Sequence, residues 1–180
     1  MKEQLFEIVK ETLGILVVAF ILAMGLRTFI IDARVVPTGS MLDTIQLKDR
    51  LLVDKVTIHF TGLKRGDIIV FKPPEGIMNK EDLVKRLIGL PGDKIEVKDN
   101  TVFVNDKPLN EPYLRQLPNY EYGPVTVPPN GLFMMGDNRN ESYDSHAWGV
   151  WLTKDHVIGR AFAIYWPPSH AHFFTRPTYQ

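Results

Sequence analysis

Residues 12 to 31, TLGILVVAFILAMGLRTFII, carry a single charge, Arg27. No other feature limits the fold so strongly, because about 20 residues of helix rise about 30 Å, the depth of a bilayer's hydrocarbon core. A retained membrane anchor competes with two other readings, a cleaved signal peptide and the buried helix of a soluble fold. A signal peptide needs a shorter apolar run followed by a small-x-small cleavage site, but the run leads into RTFIIDARVVPTGS, which has no A-x-A. The expectation is therefore an N-terminal tail over 1–11, a transmembrane anchor over 12–31 and a β-rich domain over 32–180. Arg27 sits near enough to the far end of the run to snorkel toward headgroups. Charge does not orient the span: Lys2 and Lys10 precede it together with Glu3, Glu7 and Glu11, while Arg27 and Arg34 stand at the other end.

The polar part of the chain reads as strands and turns. From Arg50 onward apolar residues alternate or form short runs bounded by Gly, Pro, Asn and Asp. RLLVDKVTIHF and DIIVF are candidate strands, the second ended by Pro73 and Pro74, which cannot donate to a ladder. DKIEVKDNTVFVNDKPL predicts a hairpin turning at Asp99 and Asn100. PVTVPPNGLFMMGDN predicts a strand pair about Pro129, Asn130 and Gly131, and HVIGRAFAIYW a last long strand. No helical pattern of useful length follows the anchor, although KEDLV suggests a short turn. The fold class expected is mainly β, an antiparallel sheet assembly partly closed into a barrel to protect its edges, with one transmembrane helix before it.

Composition narrows the chemistry. With 21 basic and 21 acidic residues in 180, the net charge is zero and no general attraction to nucleic acid is expected. There is no cysteine, which excludes disulfides, thiol catalysis and Cys-ligated metal sites. The five histidines form no HExxH pattern; His170 and His172 read as part of a solvated tail, so no metal is expected.

A hydroxyl nucleophile remains possible. In VPTGSM, residues 36–41, Gly39 permits a tight approach of backbone, Ser40 offers a hydroxyl and an amide, and Thr38 adds a second donor. Pro-Thr-Gly-Ser, residues 37–40, is also an ordinary turn composition. Two bases are available to Ser40. One is His146 with Asp144, inside the polar loop MGDNRNESYDSHAWG. The other is Lys85, set among Leu83, Val84, Leu87 and Ile88, where desolvation would draw its pKa down from about 10.4. On a strand Lys85 shares a face with Leu83 and Leu87 while Arg86 points the other way.

VPTGSM, KDRLLVDKV, KRGDIIVFKPP, LVKRLIGLPGD and GDNRNESYDSHAWG, in that order, resemble the successive conserved boxes of bacterial-type signal peptidase I, over about Ile31 to Trp166. The form of the last box is most similar to cyanobacterial and plastid members. The resemblance implies a membrane-bound serine endopeptidase with a Ser-Lys dyad that removes N-terminal signal peptides from exported preproteins after small residues of the A-x-A type. It implies Ser40 as nucleophile and Lys85 as general base, with the Ser40 amide and Thr38 hydroxyl forming the oxyanion hole. Ser142 would orient the lysine, Asp144 would support it, and His146 becomes a supporting residue. Val36, Met41, Leu83 and Val84 are the candidate substrate-pocket residues.

Four positions depart from the boxes. Asp43 stands where proline is usual, Lys48 where glycine is usual, Asn140 replaces an aspartate and His146 an arginine. The loop loses one group of each sign, and the expected pairings become Arg86 with Asp144 and His146 with Asp137. The implied partners are signal peptides of secretory preproteins and the lipid bilayer, with no nucleic acid, no cofactor and a monomer in the membrane. The implied location is the cell membrane, single-pass with the catalytic domain outside, or a thylakoid membrane. Self-cleaving repressors of the LexA type share the β architecture and the Ser-Lys chemistry, but they carry a DNA-binding helical domain where this chain has its apolar run. An inactive, membrane-anchored relative is the other alternative.

Overall fold

The computed structural model describes residues 2–29, 31–77 and 81–179. Helix α1 spans Lys2–Phe29. Within it Ile8–Gly25 has a mean hydropathy of 2.0 and none of that stretch is buried against the rest of the chain. Apolar side chains of Ile8–Gly25 are exposed, Ile15 by 70% and Phe20 by 66%, so among the described residues this stretch is not packed as a core helix. The side chain of Arg27 lies outside the described residues.

The rest is mainly antiparallel β structure, as the alternation in the sequence implies. Strands β1 (Ile31–Val35), β2 (Arg50–Asp54), β3 (Ile68–Phe71), β4 (Leu83–Gly89), β9 (Gly131–Met135), β10 (Leu152–Thr153), β11 (Val157–Trp166) and β12 (His172–Phe173) form an eight-stranded sheet. Its order is β1-β2-β11-β3-β4-β9-β10, with β12 on β11. A second sheet, β7-β6-β5-β8, holds β5 (Lys94–Lys98), β6 (Thr101–Val104), β7 (Lys107–Pro108) and β8 (Tyr122–Thr126). Register shifts along β11 against β2 and β3, and in β4 against β9, curl the large sheet as unpaired residues bend a strand.

The central position of β4 follows from its sequence. LVKRLIG has no polar-out alternation, and all seven residues are buried, as expected of a strand covered on both faces. Val84 joins a core with Met41, Ile45, Val53, Val70 and Ile164. Leu83 and Leu87 face a second core with Ile69, Phe71, Met134 and Trp148. Ile88 reaches a third, under the small sheet, with Ile95, Val102 and Phe133.

Two expected elements are different. RLLVDKVTIHF is not one strand: β2 ends at Asp54, whose Oδ1 accepts from the amides of Val56 and Thr57 at 3.0 and 2.9 Å, and the short helix α2 (Thr57–Thr61) follows. An aspartate that captures two downstream amides turns the chain out of the ladder. The segments on either side of Pro129-Asn130-Gly131 are both strands, but they are not a pair. β8 pairs with β5 and β9 with β4, so the connection crosses between sheets. The 93–109 hairpin is as read, with Asp99 and Asn100 both left-handed at φ 48° and 58°, as a two-residue hairpin turn of this kind requires. β3 ends at Phe71, just before the two prolines.

Candidate active site

The loop from Val36 to Asp49 carries Ser40. It is closed at its base, where the Val36 amide donates to the Asp49 carbonyl (3.0 Å) and the Lys48 amide to the Val36 carbonyl (2.9 Å). Met41 and Ile45, fully buried, pin it to the first core. The loop is tied on its other side by Asn138, whose amide donates to the Ser40 carbonyl at 3.0 Å and whose Nδ2 donates to the Gly39 carbonyl at 3.1 Å. Both carbonyls are thereby satisfied, and the Ser40 amide donates to no group among the described residues.

Lys85 projects from β4 on the Leu83 and Leu87 face, and its Nζ donates to Ser40 Oγ. Both groups are buried. Burial pushes the Lys85 ammonium down from 10.5 to about 8, against the opposing pull of the Asp144 and Asp137 carboxylates. About half of the lysine is therefore neutral near pH 8 and able to accept the serine proton. Thr38 Oγ1 lies 3.4 Å from Ser40 Oγ. The two open on a cavity of about 400 Å³ lined by Thr38, Gly39, Ile77, Leu83, Asn138 and Tyr143 as well as by Ser40 and Lys85.

The last motif encloses the lysine side. Gly136 is the close-approach position: a Cβ there would stand 2.2 Å from Ser142 Oγ and 2.4 Å from the Ser40 carbonyl. The buried Ser142 hydroxyl has no hydrogen-bond partner among the described residues, so it lies next to Gly136 and the Ser40 carbonyl without a bond to Lys85. Asp144, with no exposed side-chain surface, accepts from the Gly136 amide at 2.8 Å and lies 2.7 Å from His146 Nδ1. It also caps helix α3 (Ser145–Trp148). His146 is stacked on Tyr120, with ring centroids 4.4 Å apart.

The expected charge pairing is reversed. Arg86 does not meet Asp144; its Nε and Nη2 donate to Asp137 Oδ1 and Oδ2 at 2.8 and 2.6 Å, and His146 is the partner of Asp144. The reason is strand alternation. Arg86 leaves β4 on the face opposite Lys85, where Asp137 also receives Thr44 Oγ1 at 2.5 Å, while Asp144 stays at the start of α3, two residues from His146. Of the four pocket candidates only Leu83 lines the cavity beside Ser40. Val84 lines a separate groove with Val35 and Pro37, and Val36 and Met41 lie in the core behind the loop, 2% and 1% exposed. Small apolar residues next to a nucleophile can line a pocket or anchor its loop, and these two anchor it.

The sequence reading passed over Asn138, Thr44, Ile77 and Tyr143. Asn138 lay inside the quoted motif, but its contacts reach across 99 positions to Gly39 and could not be inferred from local pattern. Of the departures, Asn140 has a local explanation, whereas the backbone at Lys48 still favours glycine. Lys48, where glycine is usual, is left-handed at φ 68°. Asn140 both donates to the Leu117 carbonyl (3.0 Å) and accepts from the Asn119 amide (2.9 Å), a dual role closed to an ionised aspartate.

The family described as signal peptidase, peptidase S26, matches residues 9–166. A signal peptidase I from Leptolyngbya laminosa is 45% identical over 162 residues, covering 87% of this chain and 78% of that protein. Signal peptidase I P of Bacillus subtilis subsp. natto is 39% identical over 86% of this chain and 87% of its own length. The chloroplastic thylakoidal processing peptidase 1 of Arabidopsis thaliana is 35% identical over 79% of this chain and 44% of that protein. A crystal structure of a signal peptidase I from Enterococcus faecalis V583 aligns with a TM-score of 0.49 at 31% identity, over 56% of this chain and 97% of that one.

Proposed function

The chain belongs to the signal peptidase family, peptidase S26, and on that premise we propose that it is a membrane-anchored endopeptidase using Ser40 and Lys85 to cleave signal peptides from preproteins after small residues. The observation that carries the reading is the hydrogen bond from Lys85 Nζ to Ser40 Oγ at the wall of an open cavity. Neutral Lys85 removes the Ser40 proton as Oγ attacks the scissile carbonyl. The resulting oxyanion is met by the Ser40 amide and the Thr38 hydroxyl, donors fixed before the charge develops. Lys85 then returns the proton to the departing amine. In the second half it deprotonates a water that attacks the acyl ester, releasing the signal peptide and restoring Ser40. Ser142, packed against Gly136 next to the Ser40 carbonyl, and Asp144, whose charge opposes the desolvation of the lysine, are the supporting residues.

Leu83 and Ile77 form the apolar wall beside the nucleophile, the surface against which the small side chain before the scissile bond would sit. Helix α1 is the anchor: β1 follows it closely, so the Ser40 loop is held near the bilayer surface, where the cleavage site of a signal peptide emerges. The catalytic domain stands on the outer side of a plasma membrane or the lumenal side of a thylakoid membrane, and the relatives include peptidases from cyanobacteria and from chloroplasts. Purified full-length protein in liposomes tests the reading with a preprotein whose signal ends in A-x-A. Sequencing of the product's new N-terminus should place the cut directly after the final alanine, with no product from Ser40→Ala or from a substrate carrying Phe in place of that alanine. Efficient turnover of the Phe substrate would refute the pocket; cleavage by Ser40→Ala would refute the nucleophile.

A further inference from the structure

The family match ends at Trp166, but the chain beyond it returns to the site. β12 pairs with β11, and the Phe174 amide then donates to the Phe162 carbonyl at 2.8 Å. Arg176 Nε and Nη2 donate to Oδ1 of buried Asp67 at 3.0 and 2.7 Å. The next residues lie so closely on Gly66 that a Cβ placed there would be 2.9 Å from Tyr179 Cε2 and 3.1 Å from Pro177 Cδ. The Tyr179 hydroxyl is 3.1 Å from the Tyr113 hydroxyl.

What these residues cover is the outer side of Arg86. Its Nη1 donates to the Gly66 carbonyl at 2.9 Å, and its guanidinium carbon stands 3.8 Å from the centroid of the Tyr113 ring. The Arg86–Asp137 pair has side-chain exposures of only 3% and 0%. A buried ion pair keeps its geometry only while water is excluded and its remaining donors are satisfied. Asp137 in turn holds Thr44, in the loop that carries Ser40, and its charge acts on Lys85.

We propose that residues 174–179 form a strap that seals the Arg86–Asp137 pair and thereby holds the Ser40 loop in register with Lys85. Arg176 and Tyr179 are positioning residues, since neither lines the cavity beside Ser40. The inference rests on the dyad reading above, but its effect on the loop does not depend on which group is the base. The charged and titratable groups facing Arg86 are Asp137, Tyr113 and Tyr179; those facing Lys85 are Asp144 and Asp137. When the strap is removed, water reaches Arg86, its hold on Asp137 slackens, and the less neutralised Asp137 acts more strongly on Lys85. This favours the charged lysine, so the activity limb should move to higher pH.

The test uses two variants in detergent, a truncated chain ending at Phe173 and the full-length double variant Arg176→Ala/Tyr179→Phe, which serves if the truncation does not fold. Amide hydrogen exchange over 38–46 and 136–139 should quicken at least tenfold, and the pH–activity limb should rise by about half a unit or more, with the larger change in the truncation. Unchanged exchange in these segments, or an unmoved limb, in the folded variants would overturn the strap. Loss of the dyad reading would show in Lys85→Ala with the strap intact.

Discussion

Lys85→Met should make the protein more stable at pH 6 while abolishing its activity. In the folded chain the lysine pKa falls from 10.5 to about 8. Below pH 8 Lys85 is charged in both the folded and unfolded chain, and the folded state bears the whole burial penalty of about 3 kcal/mol, from 1.36 kcal/mol per unit. Between 8 and 10.5 the unfolded chain binds the extra proton, so wild-type stability rises with pH across that window; above it the penalty is gone. Methionine fits the stem without the charge, but it loses the bond to Ser40, about 1 kcal/mol. The variant should therefore lead by about 2 kcal/mol at pH 6, and the lead should vanish by pH 10.5. Denaturant titration of both proteins in the same micelles, followed by tryptophan fluorescence at several pH values, gives the difference directly. A variant less stable than wild type at pH 6, or a difference that does not change with pH, would show that burial is not what lowers this lysine.

Gly136→Ala should lose at least tenfold in activity and more than about 2 kcal/mol of stability in a thermal melt, since its methyl would fall on Ser142 Oγ and the Ser40 carbonyl. Lys48→Gly should raise stability by about 1 kcal/mol with activity unchanged, because φ 68° disfavours a side chain and the position lies away from the cavity. Arg86→Ala should cost about 3–5 kcal/mol by leaving Asp137 buried and unpaired, and Asp137→Ala added to it should recover part of that loss in denaturant titration.

Pattern carried much of this structure. Leu83, Val84, Leu87 and Ile88 bracket Lys85 and Arg86 on both faces of a strand, so the burial of Lys85 and the opposite direction of Arg86 were both legible. Which carboxylate each cation would meet was not. Asp137 and Asp144 lie seven positions apart in one loop, and only the path of that loop decides which stands on the Arg86 side. The pairing of β8 and β9 with different sheets was hidden for a similar reason: Pro-Asn-Gly is compatible both with a hairpin and with a crossing between sheets. Val36 and Met41 were assigned to the pocket by proximity to Ser40 along the chain, but a loop of 14 residues closed at its base needs apolar anchors, and these residues serve that need.

The central claim is that Lys85, and not His146, takes the Ser40 proton. The pH dependence of kcat/KM for preprotein cleavage should be measured for wild type, Lys85→Ala and His146→Ala in liposomes. Wild type should show a limb rising near pH 8, Lys85→Ala should lose at least a thousandfold, and His146→Ala should keep the limb. Cleavage that survives in Lys85→Ala with a limb near 6.5, and disappears in His146→Ala, would contradict it.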